Sequence, residues 1–288
     1  MENELYGYEP IVSRPRLTWP GGARVAFYIG LNIEHYKLGV PSTSISGATV
    51  HLTPDPLNHG WRDFSPRVGI WRLIDLLDRL GVVPSVLLNS EVCERYPEIV
   101  EAGNARGWAW LAHGQNNSTL QPDVAGEGER EYLAAIVRTI QDATGRAPRG
   151  WLGPALTETL ETPRLLRELG ITYLLDWCCD EQPFHLTVPG LISVPYSIEV
   201  NDITLFVGRN LSGPEYERIV ADQLEQLLED GETTGRVMAL PLHPFISNQP
   251  FRHKYLARVL ERIVSTEGVW VTTSDAIAEH YLAQTGGT

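Results

Sequence analysis

The sequence predicts an α/β fold of parallel strands joined by crossover helices. Apolar runs of strand length recur along the chain, and amphipathic stretches with helical periodicity separate most of them. Such an alternation, which begins near Arg24 and continues to the end, is typical of a barrel or an open doubly wound sheet. We favour the barrel, because the glycine patterns of dinucleotide-binding and P-loop sheets are missing.

The periodicity places the individual elements. Strands are predicted at 25–32, 82–88, 108–112, 171–175, 191–196, 237–242 and 269–272. Apolar residues at helical spacing predict helices at 70–80, 132–140, 163–169, 216–228 and 255–263. The first of these helices should end at Gly81, because glycine is the usual residue at a helix C-terminus. The remaining long irregular stretch, 37–66, is either a lid or a surface excursion.

Composition limits the classes of protein. A chain of 288 residues fits a single catalytic domain over 1–288, with residues 1–24 as an extended N-terminal arm. A net charge of -13 disfavours nucleic acid as a partner, and no segment is apolar enough to span a membrane. Three cysteines without disulfide or zinc-ribbon spacing, and no secretion signal, fit the cytoplasm. We therefore expect a cytoplasmic enzyme with a small-molecule substrate.

Polar side chains follow four of the predicted strands, where the working residues of parallel α/β folds lie. A glutamate beside several histidines can supply a general base and a general acid, or can hold a metal. Taken singly, each histidine is more often structural, and it is the repetition at strand ends that favours a site. The residues concerned are Asn32, Glu34, His35, His113, Asn117, Tyr196, Glu199, Asn201, Asp202 and His243.

The order of these pieces resembles the polysaccharide deacetylase (NodB-homology) family. The resemblance runs through 24–34, His113-Gly, the Pro148-Arg-Gly-Trp151 turn, Asp176-Trp177 and Leu242-His243. Three further segments, 19–25, 194–202 and 269–273, are most similar to the branch of metal-independent allantoinases and cyclic imidases. The resemblance implies a distorted (β/α) barrel with seven or eight strands, and it suggests a homo-oligomer.

The resemblance also implies roles for particular residues. The family's catalytic base falls on Glu34, its metal-binding aspartate on His35, and its histidine pair on His113 and Asn117. The arginine that braces the base in the family is replaced by Leu152. Because asparagine binds transition metals poorly, we favour a site that needs no cofactor, while His35, His113 and Asn117 with zinc stay open as the alternative.

These observations predict a hydrolase of a non-peptide carbon-nitrogen bond in a small cyclic amide, imide or ureide. Glu34 would be the base, His243 the acid, and His35 or His113 the group that stabilises the oxyanion, with the pKa values of base and acid moved toward neutrality. A metal-dependent deacetylase of an N-acetylated sugar or small molecule, and a non-catalytic binding protein, are the rival hypotheses. No Gly-x-Ser-x-Gly elbow supports a serine nucleophile.

Further residues are candidates for binding the substrate. Trp151, Trp177 and Tyr196 have the flat apolar surfaces that suit a planar ligand, although core packing explains such residues equally well. Asp180, Glu199 and Asn201 can accept hydrogen bonds from ring N–H groups, with a salt bridge or a helix cap as the alternative for the two carboxylates. Asn117 completes the predicted substrate-binding set.

Overall fold

A computed structural model describes residues 3 to 286, so both ends of the expected domain (1–288) and the start of its arm (1–24) lie outside the described residues. The described chain contains a nine-stranded sheet. Its strands are β1 (Val25–Ile33), β2 (Ser85–Leu88), β3 (Ala109–Ala112), β4 (Gly150–Trp151), β5 (Tyr173–Leu174), β6 (Phe184–His185), β7 (Ile192–Ser193), β8 (Arg236–Leu242) and β9 (Val269–Val271).

The sheet is curled and almost entirely parallel. Its order is β6-β7-β5-β4-β3-β2-β1-β8, with β9 also paired to β1, and only the β6–β7 pair is antiparallel. Among residues 3 to 286 no ladder joins β6 to β8, so the barrel is open on one side. The predicted distorted (β/α) barrel is confirmed as the type of fold. The sequence patterns missed β4 and β6, because neither lies in an apolar run of the kind that surrounds the equally short β5 and β7.

Ten α-helices accompany the described strands. They are α1 (Pro56–Phe64), α2 (Ile70–Leu80), α3 (Ser90–Arg95), α4 (Pro97–Ala105), α5 (Glu129–Thr144), α6 (Thr162–Glu168), α7 (Gly213–Asp230), α8 (Pro244–Ser247), α9 (Pro250–Ser265) and α10 (Ser274–Thr285). All five predicted helices are present, and Gly81 ends α2 with φ 65° as expected. None of the helices within residues 3 to 286 is long and apolar enough to cross a membrane.

Side-chain alternation along β1 decides which residues reach the interior of the curl. In a strand, successive side chains point to opposite faces. The odd-numbered residues of β1 pack in one apolar cluster with the helices, whereas Ala26 and Tyr28 belong to a second cluster inside the curl. Gly30 leaves room on that inner face for Tyr196, whose ring would lie 2.8 Å from an added Cβ. Continued to the end of the strand, the same alternation directs Glu34 inward.

The N-terminal arm lies along the body without strands or α-helices between residues 3 and 24. Trp19 is buried and its indole N–H donates to the carbonyl of Arg236 at 2.8 Å. Arg14 forms an ion pair with Asp180 at 2.5 Å. The arm is therefore fixed to its own chain at two points.

Candidate active site

The register of the central strands brings three polar residues to one level at the mouth of the curl. Ile33 pairs with Leu88, and Leu88 pairs with Ala112. The residues that follow these three are Glu34, Asn89 and His113, in neighbouring positions across the sheet. His243 follows β8 on the other side of β1, where Leu31 pairs with Leu242. Four side chains from four strands thus meet at the carboxyl edge of the sheet.

Glu34 is the centre of this cluster. Its side chain is 3% exposed, and its Oε1 lies 3.3 Å from Nε2 of His113 and 3.8 Å from Nε2 of His243. The side-chain amide of Asn117 also donates to Oε1, and the hydroxyl of Tyr36 donates to Oε2 at 2.6 Å. The carboxylate therefore accepts hydrogen bonds from three residues and faces the imidazole of a fourth, His243, which together favour its ionised form in the interior.

His243 is oriented by a buried carboxylate. Its Nδ1 lies 2.6 Å from Oδ1 of Asp202, and its backbone N–H donates to Oδ2 of the same residue at 2.7 Å. Asp202 is fully buried. Because an ionised carboxylate only accepts hydrogen bonds, this contact places a proton on Nδ1 and leaves Nε2 facing Glu34.

His113 is oriented by the backbone. Its Nδ1 lies 2.7 Å from the carbonyl oxygen of Leu152. A carbonyl oxygen only accepts, so Nδ1 carries a proton here too. A hydrogen bond from Nε2 to the Glu34 carboxylate then needs a second proton, that is, an imidazolium. Asn89 supports this arrangement, since its amide donates to the His113 carbonyl and, at 3.1 Å, to Asn117 Oδ1.

The pKa of the predicted base, Glu34, and the pKa of the predicted acid, His243, are shifted in opposite directions. Burial alone would raise the pKa of Glu34, but the charges of His243 and His113 outweigh it and lower this pKa below its ordinary value. Burial would lower the pKa of His243, but Asp202 and Glu34 together raise it. The expectation of shifts toward neutrality is wrong for Glu34. Near neutral pH the site therefore contains a carboxylate and an imidazolium.

His35 does not join this cluster, which corrects its prediction as a catalytic residue. Its Nδ1 lies 3.2 Å from the Tyr96 hydroxyl and its Nε2 lies 3.5 Å from Glu91. It lies two residues beyond the end of β1 at Ile33, and these contacts turn its ring away from Glu34.

The residues present do not fit the family's metal site. His35 faces α3, and Asn117 turns its N–H rather than its oxygen toward Glu34. Within residues 3 to 286, no group of three or more His, Cys, Asp or Glu side chains is arranged to hold a metal ion. The predicted alternative, zinc on His35, His113 and Asn117, lacks a converging donor set.

The aromatic candidates for substrate binding have different positions. Tyr196 is buried on the inner face, and its hydroxyl accepts from the Asn32 amide at 3.1 Å. Trp151 is fully buried in the outer apolar cluster, so its prediction as a ligand wall is corrected in favour of core packing. Trp177 is partly buried and packs edge-on against Tyr6 of the arm, with ring centroids 5.1 Å apart.

Three polar candidates have partners within the chain, and their role as substrate ligands stays a prediction. Asp180 is paired with Arg14 and accepts the backbone N–H of Gln182 at 2.9 Å. Glu199 is exposed and pairs with Arg209. Asn201 accepts from the backbone of 203 at 3.1 Å, at the start of a π-helical turn over Ile203–Gly208. The salt bridge was the alternative for the two carboxylates.

The segment 37–66 packs against the mouth of the site. Its Lys37 backbone N–H and Ser42 hydroxyl both contact Ser118 Oγ, at 3.0 and 2.7 Å. Arg62 of α1 lies over the Tyr36 ring, 4.8 Å from its centroid. These contacts connect the segment to the loop after β3 and to a residue bonded to Glu34, although a lid motion itself stays a prediction.

The sequence did not indicate two residues that hold the site together, Tyr36 and Asn89, nor the role of a third, Asp202. Asn89 had a signal, because it directly follows the predicted strand 82–88. Asp202 was predicted as a polar residue after a strand, yet its partner His243, which follows β8, is 41 residues away. Tyr36 had no signal, since its contact with Glu34 depends on a turn that no pattern specifies.

The fold of the molecule is similar to that of known proteins. Its curled sheet and strand-end cluster define a NodB-type polysaccharide deacetylase fold. A solved structure of a probable polysaccharide deacetylase from Pseudomonas aeruginosa superposes with TM-score 0.86 and 24% identity, covering 94% of this chain and 95% of that one. PuuE allantoinase superposes with TM-score 0.84 and 24% identity over 96% of both chains.

Sequence comparison agrees with this placement. A putative polysaccharide deacetylase of Schizosaccharomyces pombe is 27% identical over 241 residues, which cover 77% of this chain and 75% of that protein. No protein-family model matches the chain. The resemblance predicted from the sequence is confirmed by these relatives.

Proposed function

We propose that this protein hydrolyses a carbon-nitrogen bond of a small cyclic amide, imide or ureide without a metal cofactor. One observation carries the proposal: Nε2 of His113 and Nε2 of His243 both face Oε1 of Glu34, at 3.3 and 3.8 Å. A carboxylate between two imidazoles, one of them backed by Asp202, provides a base, an acid and an oxyanion donor in one place.

The reaction needs one water molecule and no other reactant. Glu34 removes a proton from the water as its oxygen attacks the ring carbonyl, and His113 donates from Nε2 to the developing oxyanion. His243 then gives its proton to the departing nitrogen as the carbon-nitrogen bond breaks. The products are a carboxyl group and an N–H in one opened chain, and the proton taken by Glu34 returns to His243 through solvent.

The protonation states favour these roles. The lowered pKa of Glu34 makes the carboxylate available at neutral pH, and the raised pKa of His243 makes the imidazolium available there. A carboxylate with a lowered pKa is a weak base, however, so it is best matched to an electrophile that needs little assistance. An imide or strained ring carbonyl meets that condition, because its leaving nitrogen is better than that of an ordinary amide.

The burial of the central cluster favours a small substrate. Glu34, His113 and His243 are each nine-tenths or more buried, and segment 37–66 contacts Ser118 and Tyr36 beside them. The inner-face tyrosine Tyr196 and the Asn117 amide are the candidates for contacting a planar ring. A polysaccharide chain would need an open groove across the same edge, so we favour the ring over the polymer.

The proposal is tested by incubating the purified full-length protein with cyclic imides, hydantoins, allantoin and N-acetylated sugars, each with and without a strong chelator. Ring opening that survives chelation supports Glu34 and His243 as the catalytic pair. Deacetylation that is lost on chelation and restored by zinc would contradict it, and would favour the metal-dependent deacetylase. Binding of a ring without turnover would favour the non-catalytic protein.

Two further proposals concern the location and the oligomeric state of the protein. We propose that it is cytoplasmic, because its cysteines are free and its proposed substrate is a small molecule. We also propose that it is a homo-oligomer, because of the family resemblance. Light scattering on the purified protein measures the copy number. A monomer at micromolar concentration would contradict the second proposal.

A further inference from the structure

The peptide group between Leu152 and Gly153 is held at both of its polar ends. Its carbonyl oxygen accepts from Nδ1 of His113 at 2.7 Å, and its N–H donates to Oδ1 of Asp176 at 2.7 Å. His113 is 1% exposed and Asp176 is 8% exposed. A buried carboxylate therefore reaches the catalytic imidazole through a single peptide unit.

Such a chain of hydrogen bonds has a direction. Hydrogen bonds in series polarise one another, and they do so most where water is excluded. A carboxylate that accepts from the Gly153 N–H shifts electron density in the peptide group toward the Leu152 oxygen. That oxygen becomes a better acceptor, so the hydrogen bond from His113 Nδ1–H strengthens and the orientation of the ring is held more firmly.

A second carboxyl group accompanies Asp176. Burial and the facing Asp176 charge raise the pKa of Glu158 well above its ordinary value, and burial also raises the pKa of Asp176. Both oxygens of Glu158 and Oδ2 of Asp176 are buried, and none has a regular hydrogen-bond partner among the described residues. Two like carboxyls in a buried site keep one proton between them, and Glu158 is the member that holds it.

Among the described residues, Asp176 forms no ion pair with a basic side chain. Its side chain accepts a hydrogen bond from the Gly153 N–H through Oδ1, and its Oδ2 has no regular partner. Retaining a carboxylate in this position costs free energy. A purely structural cap of the Gly153 turn would be served equally well by a neutral amide, so the charge itself calls for an explanation.

We propose that Asp176 is a positioning residue for His113, acting through the Leu152–Gly153 peptide group to orient the imidazole and to strengthen the hydrogen bond that its Nδ1–H donates. The catalytic part of this inference rests on the proposed function, in which His113 faces the oxyanion. The hydrogen-bond chain itself does not depend on any substrate. Asp176 touches no reacting atom, and its effect is on the ring.

The test uses nitrogen-15 NMR of the full-length protein, with the His113 resonances assigned by their loss in His113→Gln. Asp176→Asn keeps the shape of the side chain and an oxygen for Gly153, but removes the charge. We expect the Nδ1–H resonance of His113 to move upfield and to exchange faster with water. On a ring substrate kcat should fall about tenfold with KM within about twofold, since hydrogen bonds to charged groups are stronger by about 1 kcal/mol or more.

Two variants serve as controls. Asp275 is a partly buried carboxylate on α10, which accepts from the Tyr173 hydroxyl at 2.8 Å. Asp275→Asn should leave the His113 resonances in place. Glu158→Gln keeps a hydrogen-bond donor toward Asp176, so it should also leave the His113 resonances in place. Asp176→Ala, which leaves the Gly153 N–H without an acceptor, is the second test variant and should move the signals further.

Unchanged His113 resonances in folded Asp176→Asn and Asp176→Ala would overturn the proposal and leave Asp176 as a cap of the Gly153 turn. Equal movement in Asp275→Asn would overturn it as well, because the effect would not be specific. If the resonances move as expected but the wild-type protein opens no ring, the positioning role stands and the proposed function fails. The two claims are thus separable.

Discussion

Two histidines at the same edge of the sheet are held in different ways. His243 donates Nδ1–H to a buried carboxylate, Asp202, at 2.6 Å, whereas His113 donates to a backbone carbonyl, that of Leu152, at 2.7 Å. A full charge raises the pKa of His243, while a dipole mainly fixes the ring. This difference makes His243 suited to donate a proton and His113 suited to donate a fixed hydrogen bond. In the sequence the two are alike, because each is a histidine at the end of an apolar strand.

The largest effect is expected from Glu34, because both histidines face it. Glu34→Gln keeps the volume and removes the base, so turnover should fall by about 10³-fold or more while the protein stays folded. Circular dichroism and a turnover assay check the two statements. Full activity in this variant would contradict the assignment of the base.

The next largest effect is expected at Asp202, and it should reach His243 alone. Asp202→Asn lets the His243 ring lose its charge and adopt the other tautomer, so kcat should fall on the order of 10²–10³-fold. Glu199→Gln, at an exposed carboxylate paired with Arg209, is the matched control and should keep activity within about twofold. Equal losses in both variants would show that Asp202 has no special role.

The same variant should change the pH profile. With the pKa of Glu34 lowered and that of His243 raised, kcat/KM rises as Glu34 ionises and falls as pH passes the raised His243 value. Stability linked to His243 is present below the ordinary histidine pKa and is lost as pH rises through the folded value. In Asp202→Asn the alkaline limb should move to lower pH, and an unmoved limb would assign it to another group.

A smaller loss of activity is expected from substitution of His113, because its Nδ1 is bonded to the neutral carbonyl of Leu152. His113→Gln removes the oxyanion donor, so kcat should fall on the order of 10²-fold with little change in KM and no shift of the alkaline limb. Steady-state kinetics across pH give all three quantities. A shifted alkaline limb in this variant would mean that the two histidines exchange roles.

The smallest effect is expected from Tyr36→Phe, which removes one donor from Glu34. The hydroxyl lowers the pKa of Glu34, so its loss should move the acidic limb to higher pH and change kcat/KM by less than about tenfold. Tyr28→Phe removes a buried hydroxyl that donates to the Pro195 carbonyl instead, and should leave the acidic limb in place. Matching shifts in both variants would indicate a general effect on the core.

The sequence was informative wherever a period or a strand end carried the signal. The alternation along β1 and the polar residues after β1, β3 and β8 were enough to predict the fold and three central residues, Glu34, His113 and His243. It failed at His35, because resemblance suggested a ligand at the site, whereas the ring is turned toward Glu91 and Tyr96. Contacts such as Asp202 with His243 depend on a long connection, and no local pattern specifies where such a connection returns.

The helices that the sequence missed show the same limit. The 37–66 segment reads as irregular, yet α1 begins within it at Pro56, with Asp55 accepting the Asn58 N–H at 3.3 Å as its N-cap. The Asp-Pro cap and the helical spacing of Leu57, Trp61 and Phe64 were both present, but Gly60 and the proline- and serine-rich surroundings obscured them. Its contact with Tyr36 is tertiary, and only the folded chain reveals it.

The most direct test of metal-free hydrolysis by Glu34 and His243 is turnover of the best ring substrate by protein stripped of metal, with residual metal measured by mass spectrometry. The account predicts unchanged kcat at a metal content far below one ion per chain, and loss of that activity in Glu34→Gln. Activity that falls in proportion to metal content, and returns when zinc is added, would contradict it.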